Sequence, residues 1–229
     1  MAAQPAGGPR RSYRLDFTKM ADEAALSAGG VWTNNEQGTG GNGAPGNMTN
    51  MRVGLASDGR TRIAMATHGG INYDDSFAFV PGFGDNQFIE AVVYREPGYM
   101  PSAVHGQNHE IELLLGCSSS PGVHEWNECL FNSASGCDII HLKGGPNDFT
   151  HIGNIEGRNR FFAHTGDLIR ADKIGNEISL YLNGMLKVRY DGSDPRRVAR
   201  GSGIGIGAFI RPGAVHNKFG FISVHMGTL

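Results

Sequence analysis

The segment from Gly166 to Tyr190 most strongly constrains what this chain can fold into. It contains three runs rich in β-branched and aromatic residues, separated by Gly175-Asn176 and by Asn183-Gly184. Asn-Gly is the strongest short-range signal for a β-hairpin, because a type I′ turn needs positive φ at both central residues. Gly-Asn belongs to the same set of two-residue hairpin loops. The segment therefore predicts three consecutive antiparallel strands and an all-β protein.

The composition of the rest of the chain fits this fold class. The 35 glycines cluster between apolar runs, as expected for many strands joined by turns, and no long amphipathic helix pattern occurs. The best helix candidate is short, Met20 to Ala28. No internal repeat or linker interrupts the 229 residues. We therefore expect an extended Gly/Pro/Arg arm over residues 1–11 and a single domain over residues 12–229.

Short apolar or alternating runs outside this segment predict further strands. They lie at Tyr13–Phe17, Met51–Leu55, Arg62–Ala66, Phe77–Val80, Gln87–Arg95, His109–Gly116, Trp126–Phe131, Asp138–Leu142, Gly203–Ile210 and Lys218–His225. The polar, glycine-rich stretch from Asn34 to Asn50 is too long for a simple connection, which makes it a functional candidate.

The net charge bears on whether the chain binds nucleic acid, and the cysteines bear on whether it folds in a reducing compartment. A net charge of −2 gives no electrostatic footprint for nucleic acid. The three cysteines, Cys117, Cys129 and Cys137, lack C-x-x-C spacing and form an odd-numbered set, which favours buried reduced thiols. One disulfide with a free thiol stays open as an alternative. Because no apolar signal peptide or membrane span is found, we expect synthesis in the cytoplasm without membrane insertion.

Several motifs in the second half resemble the concanavalin A-like lectin/glucanase superfamily. They read HEIELLLGC, NECLFN, GDLIRADKIGNEISLYLNG and GSGIGIGAF, and the resemblance covers about residues 85–226. It is closest to LamG-like domains of bacteriophages and bacteria. The resemblance implies a two-sheet antiparallel jelly-roll β-sandwich with one concave sheet, and carbohydrate as the usual ligand.

The strand His109–Gly116 shows the alternation that such a sandwich requires. Alternate positions place one apolar set in the core and two carboxylates, Glu110 and Glu112, on the opposite face. The apolar set is Ile111, Leu113 and Leu115. Carboxylates two residues apart on a strand lie roughly 6.6 Å apart at Cα, a spacing that permits a glycosidase pair.

Catalytic members of the superfamily carry E-x-D-x-x-E or a form one residue shorter. Glu110 matches the first acid and Glu112 replaces the central one, but the final acid falls on Leu114 or Leu115. Leucine cannot donate a proton to a leaving glycosidic oxygen. The sequence therefore predicts that the chain is not a glycoside hydrolase.

A polysaccharide lyase is the other enzyme that this scaffold allows. It needs a base and a cationic or amide group that neutralises a uronate carboxylate. The candidates for these roles are Tyr94, Arg95, His109 and His124. No recognised motif links them, and ordinary surface or edge-strand residues are the favoured interpretation.

Sugar binding calls for exposed aromatic rings beside hydrogen-bonding groups. Trp126, with His124 and Asn127 near it, and Trp32, beside the Asn-rich loop, are candidate platforms; burial in the core is the alternative for both. The remaining ligand-binding candidates are Glu110, Glu112, Tyr94 and Arg95. No cofactor is expected. Calcium could bind at Asp191 to Asp194 or at Asn147-Asp148, but ordinary Asx turns are favoured there.

A lectin-like fold normally acts outside cells, whereas the other features indicate cytoplasmic synthesis. A virion protein that is released by lysis reconciles the two. We therefore predict a non-enzymatic capsid-decoration or adhesion protein on the virion surface. It would be a homo-oligomer bound to a capsid or other virion protein, with weak affinity for cell-surface glycans. Arg10, Arg11 and Arg14 would anchor it, or would simply be solvated. The alternative is a carbohydrate-active enzyme or a cellular carbohydrate-binding module.

Overall fold

The computed structural model describes residues 11–22, 25–34, 47–67, 74–99, 109–120, 123–133, 136–144, 148–153, 163–210 and 215–229. These residues form a β-structure of 14 strands. The strands are β1 (Ser12–Asp16), β2 (Asn47–Leu55), β3 (Arg62–Ala66), β4 (Asp74–Val80), β5 (Gln87–Arg95), β6 (His109–Ser120), β7 (Val123–Ser133), β8 (Gly136–Gly144), β9 (Phe149–His151), β10 (Leu168–Ile174), β11 (Glu177–Leu182), β12 (Met185–Tyr190), β13 (Gly203–Ile210) and β14 (Phe219–Thr228).

The strands form two layers. Sheet A has the order β12-β11-β10-β5-β14, followed by β3 and β2, and β1 pairs with the other half of β14. Sheet B has the order β4-β13-β6-β7-β8-β9. The two are joined by β2, which pairs antiparallel with β3 in sheet A and parallel with β4 in sheet B. The fold is all-β as predicted, although this one parallel pairing departs from the expected antiparallel arrangement.

The hairpin segment folds as the sequence predicts. Strands β10, β11 and β12 form an antiparallel meander. Asn183 and Gly184 have φ of 51° and 78°, the positive values that a type I′ turn requires. Gly175 has φ of 60°, as at the first central position of a type II′ turn.

The other predicted strands and the predicted helix differ in how well they match the structure. Arg62–Ala66, Gln87–Arg95 and Gly203–Ile210 are strands with the predicted bounds, and the remaining predicted strands differ at their ends. The predicted helix from Met20 to Ala28 is wrong for the residues described, because only the 3-10 turn Leu26–Gly29 forms there. Three-residue β9 was missed.

The main core lies between the two sheets. It includes Ile111, Leu113 and Leu115 of β6, as the alternation predicts, together with Ile204 and Ile206 of β13. Burial of these side chains removes apolar area from water, which stabilises the sandwich by about 25 cal/mol per Å². A second buried cluster lies on the other face of sheet B, and its members are Phe77, Phe79, Leu114, Cys117, Trp126 and Leu142.

The cysteines are unpaired and buried, as expected. Cys117, Cys129 and Cys137 are free thiols, and burial raises the pKa of both Cys117 and Cys129. A raised thiol pKa disfavours the reactive thiolate, so these side chains behave as small apolar groups. Among the residues described, no helix has the length and apolar character needed to cross a membrane.

Candidate functional site

The face of sheet B that points away from the main core gathers four of the eight predicted ligand-binding residues. Strand register sets them side by side: Glu112 lies opposite Gly207 on β13 and opposite Leu130 on β7. Leu114 lies opposite Gly205 and opposite Glu128. We call this surface the outer face of sheet B. Besides these residues it carries Phe77, Phe79, Glu110, His124, Trp126, Asp138, Ile140, Leu142, Phe149 and His151.

The glycines of β13 form the floor of this face. In the sequence G-I-G-I-G, the isoleucines point into the core and leave Gly203, Gly205 and Gly207 on the outer side. A Cβ at Gly207 would lie 2.3 Å from Oε2 of Glu112, and a Cβ at Gly205 would lie 2.6 Å from Cβ of Phe79. Because these three glycines carry no side chain on the outer side of β13, the side chains of neighbouring strands can lie across them.

Two buried carboxyl groups occupy neighbouring strands of the outer face. Glu112 is 3% exposed and Glu128 is 7% exposed. Because Glu128 lies opposite Leu114 and Glu112 lies two residues before Leu114, the two glutamates are diagonal neighbours, about 7–8 Å apart. The sequence analysis placed the missing acid on Leu114 or Leu115, and the structure places the carboxyl group of Glu128 directly across from Leu114.

The carboxyl group of Glu128 has a strongly perturbed pKa. Burial raises its pKa from 4.5 to about 7, while a hydrogen bond from Trp126 and the charge of His151 act in the opposite direction. Nε1 of Trp126 donates to Oε1 of Glu128 over 2.8 Å. Glu128 can therefore hold a proton near neutral pH, which is the property that a general acid needs.

The rim of the outer face is open at β9. Phe149 is 48% exposed, and its ring contacts that of His151 edge-on with centroids 5.6 Å apart. Nδ1 of His151 lies 2.5 Å from Oδ2 of Asp138. An exposed ring beside a hydrogen-bonded imidazole and carboxyl group is the combination that carbohydrate ligands use.

Neither predicted tryptophan presents an open ring. Trp126 is 1% exposed, and its indole packs 4.7 Å from the ring of Phe77. Trp32 is 4% exposed in the main core, where its Nε1 donates to the hydroxyl of Tyr13 over 3.2 Å. Both side chains therefore adopt the buried alternative, and the prediction of exposed platforms is wrong for both.

The other predicted ligand residues are divided between the two sheets. His124 lies on the outer face of sheet B, packed edge-on against Phe77, and burial lowers its pKa. Glu110 also lies on this face, opposite Phe209. Asn127 points the other way; its amide donates to the carbonyl of Arg197 and accepts from the N–H of Ala199, which is a structural role.

Tyr94 and Arg95 lie at the end of β5 in sheet A, and not on the outer face of sheet B. The Tyr94 hydroxyl is 3.2 Å from that of Ser57, within a small apolar cluster. Arg95 is buried, which lowers its pKa, and its Nη2 lies 2.6 Å from Nδ1 of His164. The structure therefore does not bring together a lyase centre from Tyr94, Arg95 and His124, and the side chain of His109 lies outside the described residues.

The arginines predicted as anchors occupy different positions. Arg11 donates to the carbonyl of Pro81 over 2.6 Å and lies 4.8 Å above the ring of Phe83, so its charge is used within the chain. Arg14 is exposed on β1, and Arg10 lies outside the described residues.

The acidic loop at the end of β12 forms turns. Asp191 accepts from the N–H of Ser193, and Asp194 accepts from the N–H and the guanidinium of Arg196. No group of three or more His, Cys, Asp or Glu side chains in the described ranges could hold a metal ion. Asn147 lies outside those ranges.

Solved structures of other proteins share this architecture. A protein described as a candidate β-glucanase from Mycobacterium abscessus superposes with a TM-score of 0.53 at 10% identity, over 93% of this chain and 98% of that one. The carbohydrate recognition domain of Emp46p, in its potassium-bound form, superposes with a TM-score of 0.51 at 11% identity, over 93% and 94%. The chain therefore has a β-sandwich fold of the concanavalin A-like type. No family model and no curated protein matches the chain.

Within this concanavalin A-like sandwich, sequence reasoning missed Glu128, Asp138, Phe149 and His151. Glu128 follows Trp126 by two residues, so alternation along β7 could have placed both on one face. Phe149 and His151 lie in a three-residue strand that is too short to show a period.

Proposed function

We propose that the chain is a carbohydrate-binding protein that uses the rim of the outer face of sheet B. The observation that carries this proposal is the exposed ring of Phe149 beside the His151–Asp138 pair. The ring offers an apolar surface for a pyranose, and the imidazole and carboxylate offer hydrogen bonds to hydroxyl groups. The fold supports the proposal, because one protein that shares it is a carbohydrate recognition domain.

The same face supports binding rather than cleavage of glycosidic bonds. Glu112 and Glu128 are nearly inaccessible, and Glu128 is engaged by Trp126, so a bound sugar at the rim does not reach both carboxyl groups. Glycoside hydrolysis is the second candidate. The observation that favours it is the buried carboxyl group of Glu128, whose pKa is raised by burial and which lies opposite Leu114, one of the two positions where the expected acid is missing.

A glycan array followed by calorimetry on the best ligand tests the proposal. We expect binding by the full chain, and a loss of about tenfold in affinity for Phe149→Ala, because removing one stacking ring costs about 1.4 kcal/mol. Leu186→Ala is the matched control, since Leu186 is 51% exposed on sheet A, and its affinity should equal that of the wild type.

The two candidates are separated by incubating the bound polysaccharide with the protein and measuring new reducing ends. Under the binding proposal, none appear. Release of reducing ends that stops in Glu128→Gln would support hydrolysis, and equal affinity of Phe149→Ala and the wild type would exclude the rim as the binding site.

We further propose that the protein acts on a virion surface, as a decoration or adhesion protein. The support is the set of buried unpaired thiols, which suits folding in a reducing compartment before release by lysis. The exposed guanidinium of Arg14 is available to a neighbouring protein. We expect peptides of this chain in purified, nuclease-treated particles, and an oligomer by light scattering. Recovery only from the particle-free lysate would contradict this placement.

A further inference from the structure

A hydrogen-bonded chain of three side chains crosses the solvent face of sheet A. Oγ of Ser12 on β1 lies 3.0 Å from Nε2 of His225 on β14. Nδ1 of the same imidazole lies 2.9 Å from Oε1 of Glu90 on β5. Strand register explains the alignment, because His225 pairs with Glu90 and lies beside Ser12 across β1 and β14.

The acid of this chain fixes the proton positions. Burial alone would raise the pKa of Glu90, but hydrogen bonds and charge from His225 and Arg170 lower it. An ionised carboxylate only accepts hydrogen bonds, so Nδ1 of His225 donates to it; in the neutral imidazole, Nε2 is then left to accept from the Ser12 hydroxyl. This is the tautomer in which an imidazole can take a proton from a serine.

The acid and the imidazole are held by further contacts. Nη1 of Arg170 donates to Oε2 of Glu90 over 3.2 Å, and Nε of Arg170 donates to Asp172 over 2.8 Å. The ring of Phe88 contacts both His225 and Arg170. Its centroid is 4.9 Å from that of His225 and 4.8 Å from Cζ of Arg170. Both Glu90 oxygens are therefore occupied, and the imidazole is fixed by a hydrogen bond and a ring contact.

A cavity of about 590 Å³ lies beside these residues. His225 and Glu90 line it together with the polar residues Arg14, Asp16, Thr18 and Ser223, and its other lining residues are apolar; Ser12 does not line it and adjoins it through the hydrogen bond to His225. Arg14 lies opposite His225 in the strand register and two residues from Ser12, so its guanidinium shares their face. A guanidinium at this position can stabilise negative charge that develops near Ser12.

We propose that Ser12, His225 and Glu90 form an esterase site for short-chain carboxylic esters. Ser12 is the nucleophile, His225 is the base and Glu90 orients the imidazole. The proposal is independent of carbohydrate binding, because the site lies on sheet A and the glycan rim lies on sheet B. The exposed position of Ser12 and the open sheet face suit a small acyl group.

Hydrolysis of an ester at this site needs no reactant besides water. Oγ of Ser12 bonds to the ester carbonyl carbon while its proton passes to Nε2 of His225. The C–O bond to the alcohol breaks, and the alcohol leaves with that proton. Water then attacks the acyl-serine with His225 again as base, which releases the carboxylic acid and restores Ser12.

Two measurements on the full-length protein test this site: hydrolysis of p-nitrophenyl acetate, and labelling by a fluorophosphonate probe mapped by mass spectrometry. We expect the probe on Ser12, and a fall in hydrolysis of at least about 100-fold in both Ser12→Ala and His225→Gln. Ser179→Ala is the matched control, because Ser179 lies on the same sheet face at β11 and should leave both readouts unchanged.

The serine variant distinguishes a triad from an exposed histidine acting alone. Free imidazole also hydrolyses activated esters, so a rate that falls in His225→Gln and persists in Ser12→Ala would overturn the proposal. Absence of probe on Ser12 would overturn it as well. Ser12 is exposed, so equal melting temperatures of Ser12→Ala and the wild type are expected and confirm that the comparison concerns one fold.

Discussion

Replacing Gly205 by alanine is expected to lower the free energy of unfolding by about 3 kcal/mol or more. A Cβ at this position would lie 2.3 Å from the carbonyl oxygen of Ala78 and 2.9 Å from Cα of Phe79. Both are backbone atoms of the hydrogen-bonded neighbour β4, which cannot move without breaking its pairing with β13. Urea unfolding monitored by fluorescence measures the change, and the melting temperature should fall by about 10 °C.

Gly54→Ala provides the matched control, because it is also a glycine within a strand. Its added Cβ would meet only the flexible side chain of Met65, with Cε at 3.0 Å and Sδ at 4.0 Å. We expect a change of less than about 1 kcal/mol, since removing a strand glycine also restricts the unfolded chain. Equal stabilities of the two variants would contradict the prediction. They would show that the close approach of the β4 backbone to Gly205 is not the reason that β13 needs glycine there.

The hairpin segment and the core alternation were predictable because both depend on short-range rules. Asn183-Gly184 requires no partner outside the hairpin, and its positive φ values confirm the turn. The alternation of Ile111 and Leu113 follows from the two-residue period of a strand alone. The parallel pairing of β2 with β4 was not predictable, because it joins segments whose register no local pattern defines.

The candidate site was predictable only in part for the same reason. The sequence places Glu110 and Glu112 on one face of β6, and the structure confirms that face. The position of Glu128 opposite Leu114 depends on the pairing of β6 with β7, and the Ser12–His225–Glu90 chain depends on the pairing of β1, β14 and β5. The two hydrogen bonds of that chain join residues 213 and 135 positions apart in the sequence, so spacing carries no signal for it.

Glu128→Gln is expected to remove a pH dependence of stability worth about 3 kcal/mol. Burial raises the pKa of Glu128 from 4.5 to about 7, so the folded state binds its proton more tightly than the unfolded state does. The stabilisation is complete below pH 4.5, decreases as pH rises, and is lost above about pH 7. Glutamine keeps the shape of the neutral acid and does not titrate, so its variant should retain this stability at high pH.

Unfolding free energies of the wild type and Glu128→Gln, measured in urea from pH 4 to pH 8, isolate this one group. Every other titrating side chain is shared, so the difference between the two curves should be near zero at pH 4 and should favour the variant by about 3 kcal/mol at pH 8. Glu177→Gln serves as the control, because Glu177 is exposed in an ion pair with Arg189 and should change stability by less than about 1 kcal/mol at any pH. Parallel curves for the wild type and Glu128→Gln would mean that the Glu128 carboxyl is ionised in the folded protein, and the outer face of sheet B would then hold no protonated acid at neutral pH.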